Sequence, residues 1–154
     1  MSGGFDVKYY SDLFLSINCA CVNGRKILAK PILLLTIIAA IEDKIVKENK
    51  FFWRNGQEFE EFHRRYKNLY LCYRPNEYLT PIFKPFFHIK NDGFMHHELK
   101  YSNNIPKTAT VKYLTENLNY AYLDQELWDL LQDYNVREEF RELIINFFIK
   151  PKRD

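Results

Sequence analysis

Lys84-Pro85-Phe86-Phe87-His88-Ile89-Lys90-Asn91-Asp92-Gly93-Phe94 is the stretch on which the reading of this chain turns. Its pattern predicts a β-hairpin whose first strand alternates rings with basic side chains. On an extended strand Phe86, His88 and Lys90 share one face, and Phe87 and Ile89 take the other. Asn91-Asp92-Gly93 supplies residues that tolerate positive φ, as a tight reversal requires. Pro85 lacks a backbone donor, which confines it to a strand start or an edge. Rings, a proline and cations at the mouth of such a hairpin suit a ligand that is anionic yet partly apolar.

On either side of this segment the dominant period is helical. Upstream, Phe59, Phe62, Tyr66, Leu69 and Tyr73 recur at three and four residues, an amphipathic helix over Gln57–Tyr73. Glu58, Glu60 and Glu61 fall on its solvated side. Pro75, Pro81 and Pro85 keep the connection extended or turned. Further back, Tyr9–Cys21 reads as a helix with Leu13, Phe14, Ile17 and Cys21 on one face. Val22–Lys30 is a basic loop containing Asn23-Gly24. Pro31 suits the first turn of a helix reaching about Val46, and its centre, Ile32–Ile41, is apolar all round, which predicts the buried central helix. Lys50–Arg54 reads as a short extended piece.

Downstream, Asn103-Asn104-Ile105-Pro106 marks a turn, and Thr108–Asn119 a short helix with Val111, Leu114 and Leu118 inward. Asp124 is placed to cap a helix carrying Leu127, Trp128, Leu130 and Leu131. Asn135 with Glu138 forms a capping box for the last helix. That helix presents Phe140, Leu143, Ile144 and Phe147 to the core and stops before Pro151. No repeat, low-complexity tract or linker interrupts the chain. The expected fold is therefore α+β: one domain over residues 1–154, mostly helical, with a central antiparallel β-hairpin packed among helices.

At 154 residues and 47% hydrophobic content the chain can bury a substantial core, which excludes a disordered tail. Thirteen Phe and eleven Tyr are more than such a core usually holds, so some are expected at a recognition surface. Net charge is only +2, but it is polarised. Residues 22–41 carry Arg25, Lys26 and Lys30 and no acid. Residues 84–112 carry Lys84, Lys90, Lys100, Lys107 and Lys112 against Asp92 and Glu98. Residues 113–142 hold eight acids against two arginines. A molecule with a basic and an acidic side suits nucleic-acid binding better than the total implies.

Cys19, Cys21 and Cys72 have neither disulfide nor zinc spacing and are expected to be buried free thiols. Ile32–Ile41 is too short to span a bilayer, which needs about 20 residues. With no signal peptide in evidence, a cytoplasmic bacterial protein is expected. His96 and His97 are strand neighbours that point apart, so a shared metal is not predicted. The chain has no GxSxG motif, phosphate-binding glycine loop or dinucleotide fingerprint, and nothing assembles a nucleophile, base and oxyanion donor. The expectation is a non-catalytic protein with no cofactor and no metal. Arg25, Lys26 and Lys30 lead into a helix N-terminus at Pro31–Leu34, whose amides and dipole favour phosphate.

Three segments together resemble one known family. Gly24-Arg25-Lys26-Ile27-Leu28-Ala29-Lys30-Pro31-Ile32-Leu33-Leu34-Leu35 resembles the "GR…KPxLLL" opening of the sulfur-binding domain. That domain precedes the HNH nuclease in modification-dependent (type IV) restriction endonucleases that attack phosphorothioate DNA. Pro85–Phe94 resembles its "PFxxLxxDGxW" segment. Asn119-Tyr120-Ala121-Tyr122-Leu123-Asp124-Gln125-Glu126-Leu127-Trp128, with Leu130-Leu131-Gln132-Asp133, is similar to its "YAxLDxELxxLLxD" helices. The likeness spans residues from about 10 to 150 in the same order.

The resemblance implies a reader of phosphorothioate-modified duplex DNA in a bacterial defence setting. In that family a shallow apolar pocket around the proline holds the sulfur while basic residues hold neighbouring phosphates. Carried over, Pro85 and His88 line the sulfur pocket, Arg25 matches the loop arginine, and Lys112 stands in for a basic residue after the hairpin. Lys26, Lys30 and Lys84 complete the expected DNA contacts. Lys84 stands where a subset of the family carries tyrosine, and Met95 where it usually carries tryptophan. The HNH nuclease domain is absent from this chain, so a nuclease domain or subunit is an expected partner. Sulfur is larger, more polarizable and a weaker acceptor than the oxygen it replaces, so apolar contact favours it while the linkage keeps its charge. The rival readings are a general or other-modification DNA-binding domain, and a protein-interaction domain of a defence system using the acidic helices.

Overall fold

The structure, a computed structural model, describes residues 3–53, 56–101 and 105–150. Everything in it is arranged around one helix, α2 (Ala29–Glu42), in which Ile32, Leu33, Leu34, Ile37, Ile38 and Ala40 have no exposed surface. A helix apolar on every side can be satisfied only by neighbours on every side. The other helices are α1 (Gly3–Leu15), α3 (Gln57–Tyr73), α4 (Phe83–His88), α5 (Val111–Asn117), α6 (Gln125–Leu130) and α7 (Tyr134–Ile144). α3, α4 and α7 pack directly on α2, α1 lies against α6 and α7, and α5 against α4. Thr36, the one polar side chain buried within α2, donates its hydroxyl to the Ile32 carbonyl at 2.8 Å. In α3 the three-and-four spacing buries Phe62, Tyr66 and Tyr70, and the Tyr66 hydroxyl donates to the Thr80 carbonyl at 2.7 Å.

The chain adopts the expected α+β fold, mostly helical, with two small antiparallel strand pairs in place of the one central hairpin expected. The strands, however, lie elsewhere. Lys84–Phe94 is not a hairpin: α4 runs straight into a 3₁₀ turn over Ile89–Asp92. Pro85 sits in the first turn of α4, where no amide is needed. Ile82, Phe86 and Ile89, at helical spacing, enter the core with Pro85 and Phe87. Gly93, with φ of 93°, ends the helical segment in the left-handed conformation, so the predicted turn glycine is a helix terminator.

Strand β3 (Met95–Leu99) follows, and it pairs antiparallel with the distant β4 (Leu118–Leu123). Phe51 adds a single bridge to Ala121, so the extended piece near residue 51 is present. The true hairpin is β1 (Cys21–Val22) with β2 (Arg25–Lys26), in the segment expected to be a loop. Asn23 and Gly24, at φ 54° and 79°, form the two-residue turn with both φ positive that Asn-Gly favours.

Other boundaries moved for local reasons. The first helix ends at Leu15, which leaves Cys21 exposed on β1, with Cys72 exposed and Cys19 half-buried, so two of the three thiols are not core residues. α7 begins at Asp133, whose carboxylate accepts from the Asn135 amide at 3.1 Å; Asn135 is therefore not the cap. After Ile144 the backbone widens into a π turn over Ile145–Ile149, which rotates Phe148 into the core and leaves Phe147 48% exposed. Asn103, Asn104 and Pro151 lie outside the described residues. Among the described residues, no helix is long and apolar enough to cross a membrane.

Candidate nucleic-acid interface

Three pieces of chain converge at one end of α2: the β1–β2 hairpin, the first turn of α2 itself, and α4 with its 3₁₀ extension. α2 starts without help from side chains. Leu28 is its N-cap and offers no acceptor, and no acid stands in its first turn. The leading amides and the positive end of the dipole therefore meet no carboxylate of their own helix.

Lys30, in that first turn, reaches across to the 3₁₀ turn, and its ammonium lies 2.7 Å from the Asp92 carboxylate. The two side chains are only 12% and 6% exposed. Asp92 also accepts from the Asn18 amide at 3.1 Å. Lys30 was expected to grip phosphate; instead its charge is committed to a nearly buried pair that ties α2 to the segment after α4. Its role is to shape the site.

α4 presents Lys84, fully on the surface, and one turn later His88, half-buried. Pro85 is buried, so the expectation that it forms an open wall is corrected: it is packed into the core beneath this face. Helical spacing puts His88 next to it, one turn on. Lys90 follows, with its ammonium 3.4 Å from the centroid of the Phe87 ring and donating to the Phe87 carbonyl at 3.0 Å. Burial pushes the Lys90 ammonium below its ordinary range, and the charge of Lys30 pushes it further. His88 is also lowered, by burial first and then by Lys90 and Lys30. In both the first cause is loss of water, and the neighbouring lysine charges add to it.

A cavity of about 310 Å³ opens beside these residues, lined among others by Lys90, Asn91, His96, His97, Ile105 and Tyr113. His97 holds its ring against the Phe86 carbonyl at 3.1 Å, so its Nε2–H is the donor and Nδ1 is left as an acceptor. Burial, followed by the charge of Lys90, pushes this histidine down to about 4. His96, one residue earlier on β3, bonds to the Asp124 carboxylate, which also accepts the Tyr10 hydroxyl at 2.7 Å. The two imidazoles thus serve different elements, as their strand positions implied.

Arg25 and Lys26 are exposed on β2. The Arg25 guanidinium lies 3.9 Å from the Glu77 carboxylate, and the Lys26 ammonium 5.9 Å from the Phe148 centroid. With Arg74 and the exposed Phe147 they border a second cavity, of about 290 Å³. The segment leading into the hairpin reaches the Lys30 pair through the Asn18 amide, which donates to Asp92. Lys112 stands exposed in the first turn of α5, beside Tyr113, which lines the cavity next to Lys90.

Of the residues expected to bind DNA, Lys30, Lys84, Pro85 and His88 are therefore gathered around the α2–α4 contact. Arg25 and Lys26 lie instead at the second cavity, with Arg74, Glu77 and Phe148. Lys90, His97 and Tyr113 were missed as site residues. Lys90 was visible two positions beyond His88, but His97 and Tyr113 come from elements that only the fold brings alongside. No protein-family model matches the chain, and no curated protein matches it either.

Proposed function

We propose that this chain is a non-catalytic DNA-binding domain that grips the backbone of duplex DNA at the α2–α4 junction and prefers a phosphorothioate linkage. The observation that carries the reading is the half-buried Lys90 ammonium, seated against the Phe87 ring beside the Lys30–Asp92 pair. A partly desolvated ammonium gains more from a bound anion than a fully hydrated one does. The surroundings are soft as well as cationic: the Lys90 ammonium lies over the buried Phe87 ring, next to the half-buried His88 ring, with Pro85 buried behind them. A linkage in which sulfur replaces oxygen keeps its charge and loses less hydration on meeting such a surface, which is the physical basis of the preference. Lys84, Arg25, Lys26 and Lys112 are exposed and suited to neighbouring phosphates. The likeness to the sulfur-binding domain supports the same assignment, and a nuclease domain or subunit would supply cleavage.

The test is a gel-shift titration of paired duplexes that differ in one non-bridging atom, with each sulfur stereoisomer assayed separately. One stereoisomer should bind about tenfold tighter, roughly 1.4 kcal/mol. Replacing Lys84 or Lys90 by Gln should weaken every duplex and lower the salt slope by about one phosphate contact. Equal affinity for all duplexes, with a steep salt slope, would reduce the assignment to general DNA binding. No shift of any duplex would remove it.

A further inference from the structure

The basic junction leaves unused a trough of about 970 Å³ where α1, α6 and α7 meet. Its chemistry is the opposite of that junction. Val7, Leu15, Leu130, Val136 and Leu143 contribute aliphatic surface to it, each only half-buried by the fold. Around them stand Asp6, Asp12, Glu126, Asp129, Asp133 and Glu139, with Lys8 the single basic residue in the lining. Part of that acidity is used locally: Asp12 lies 3.3 Å from Lys8, and Asp133 caps α7. Glu126 and Glu139, both exposed, make no ion pair among the described residues.

We infer that this trough docks an amphipathic helix of another polypeptide, one whose apolar stripe is edged with Lys and Arg. A concave aliphatic surface walled by three helices fits side chains spaced at i, i+3, i+4 and i+7. The charge determines the kind of partner. A rim of carboxylates repels nucleic acid and anionic lipid, and it draws cations to positions flanking the stripe, where each meets a partner in register. The occupant is therefore a protein segment, basic and amphipathic. The inference does not depend on the DNA reading, since it concerns other residues and an opposite charge.

The whole chain, titrated by fluorescence anisotropy against a labelled helical peptide with a leucine stripe and flanking lysines, tests it. Two control peptides are used, one with every Lys replaced by Glu and one with the same composition but a scrambled stripe. The striped lysine peptide should bind at least about tenfold tighter than either control. A Glu126→Lys/Glu139→Lys variant, shown to be folded by its unchanged thermal midpoint, should weaken it by at least about tenfold. Leu143→Asp, a half-exposed position in the trough, should do the same without altering net charge by more than one. Equal binding of the scrambled peptide, an unaffected double variant, or no binding up to millimolar peptide would each overturn the proposal.

Discussion

Acidifying the solution from pH 7.5 to 4.5 should destabilise this protein through His97, and the size of the effect follows from where the ring sits. The fold keeps the imidazole neutral: it is pressed among Phe86, Phe87 and the Lys90 charge, and it takes a proton only near 4. In the unfolded chain the same ring takes its proton near 6.5. Between those values the unfolded state binds a proton that the folded state refuses, so stability falls as the pH drops and levels off below about 4. At about 1.36 kcal/mol per pH unit, the loss by pH 4.5 is about 2.5 kcal/mol. Carboxylates also titrate in this range, so the informative comparison is with His97→Gln, which keeps a donor for the Phe86 carbonyl but has no proton to gain. Urea unfolding of both proteins at half-unit pH steps should show the wild type losing about 2.5 kcal/mol more than the variant. Parallel decline of the two curves would refute the argument and move the acid sensitivity to the carboxylates.

Asp92→Asn should destabilise the protein by about 3 kcal/mol, because it strands the Lys30 ammonium in a nearly buried site. Lys30→Met combined with Asp92→Leu should recover much of that loss in a denaturant double-mutant cycle, though not the bond from the Asn18 amide. Gly93→Ala should cost about 1 kcal/mol by thermal or urea unfolding. An added Cβ has room, meeting Leu13 at 3.8 Å, so the cost lies in the backbone at φ +93°. A neutral Gly93→Ala would mean that the helix end relaxes to negative φ.

The unbroken apolar run Ile32–Ile41 could belong only to the buried helix, and Pro31 set where that helix starts. The ring spacing of Gln57–Tyr73 likewise named a helix and its inward face without ambiguity, because seventeen residues distinguish a period of 3.6 from one of 2. Asn23-Gly24 carries the residue pair that a two-residue hairpin turn favours, and β1 and β2 form on either side of it, although the basic composition of Val22–Lys30 suggests a loop. Basic and acidic halves were also legible, since charge is additive along the chain.

What the local pattern left open was resolved by contacts between distant parts. Pro85–Lys90 is too short for its period to be distinguished, and its rings suit a strand as well as a helix. Packing of Phe86, Phe87 and Ile89 into the core chose the helix. That choice also turned Pro85 inward and brought His88 and Lys90 towards Lys30, so the geometry of the candidate site followed from tertiary burial. Lys30 and Asp92, 62 residues apart, carry no mark in sequence that one will neutralise the other. β3 found its partner in β4 rather than in a neighbouring strand for the same reason. Periodicity determined which residues had to leave water, and only the packed chain determined which of them, and which charges, would meet.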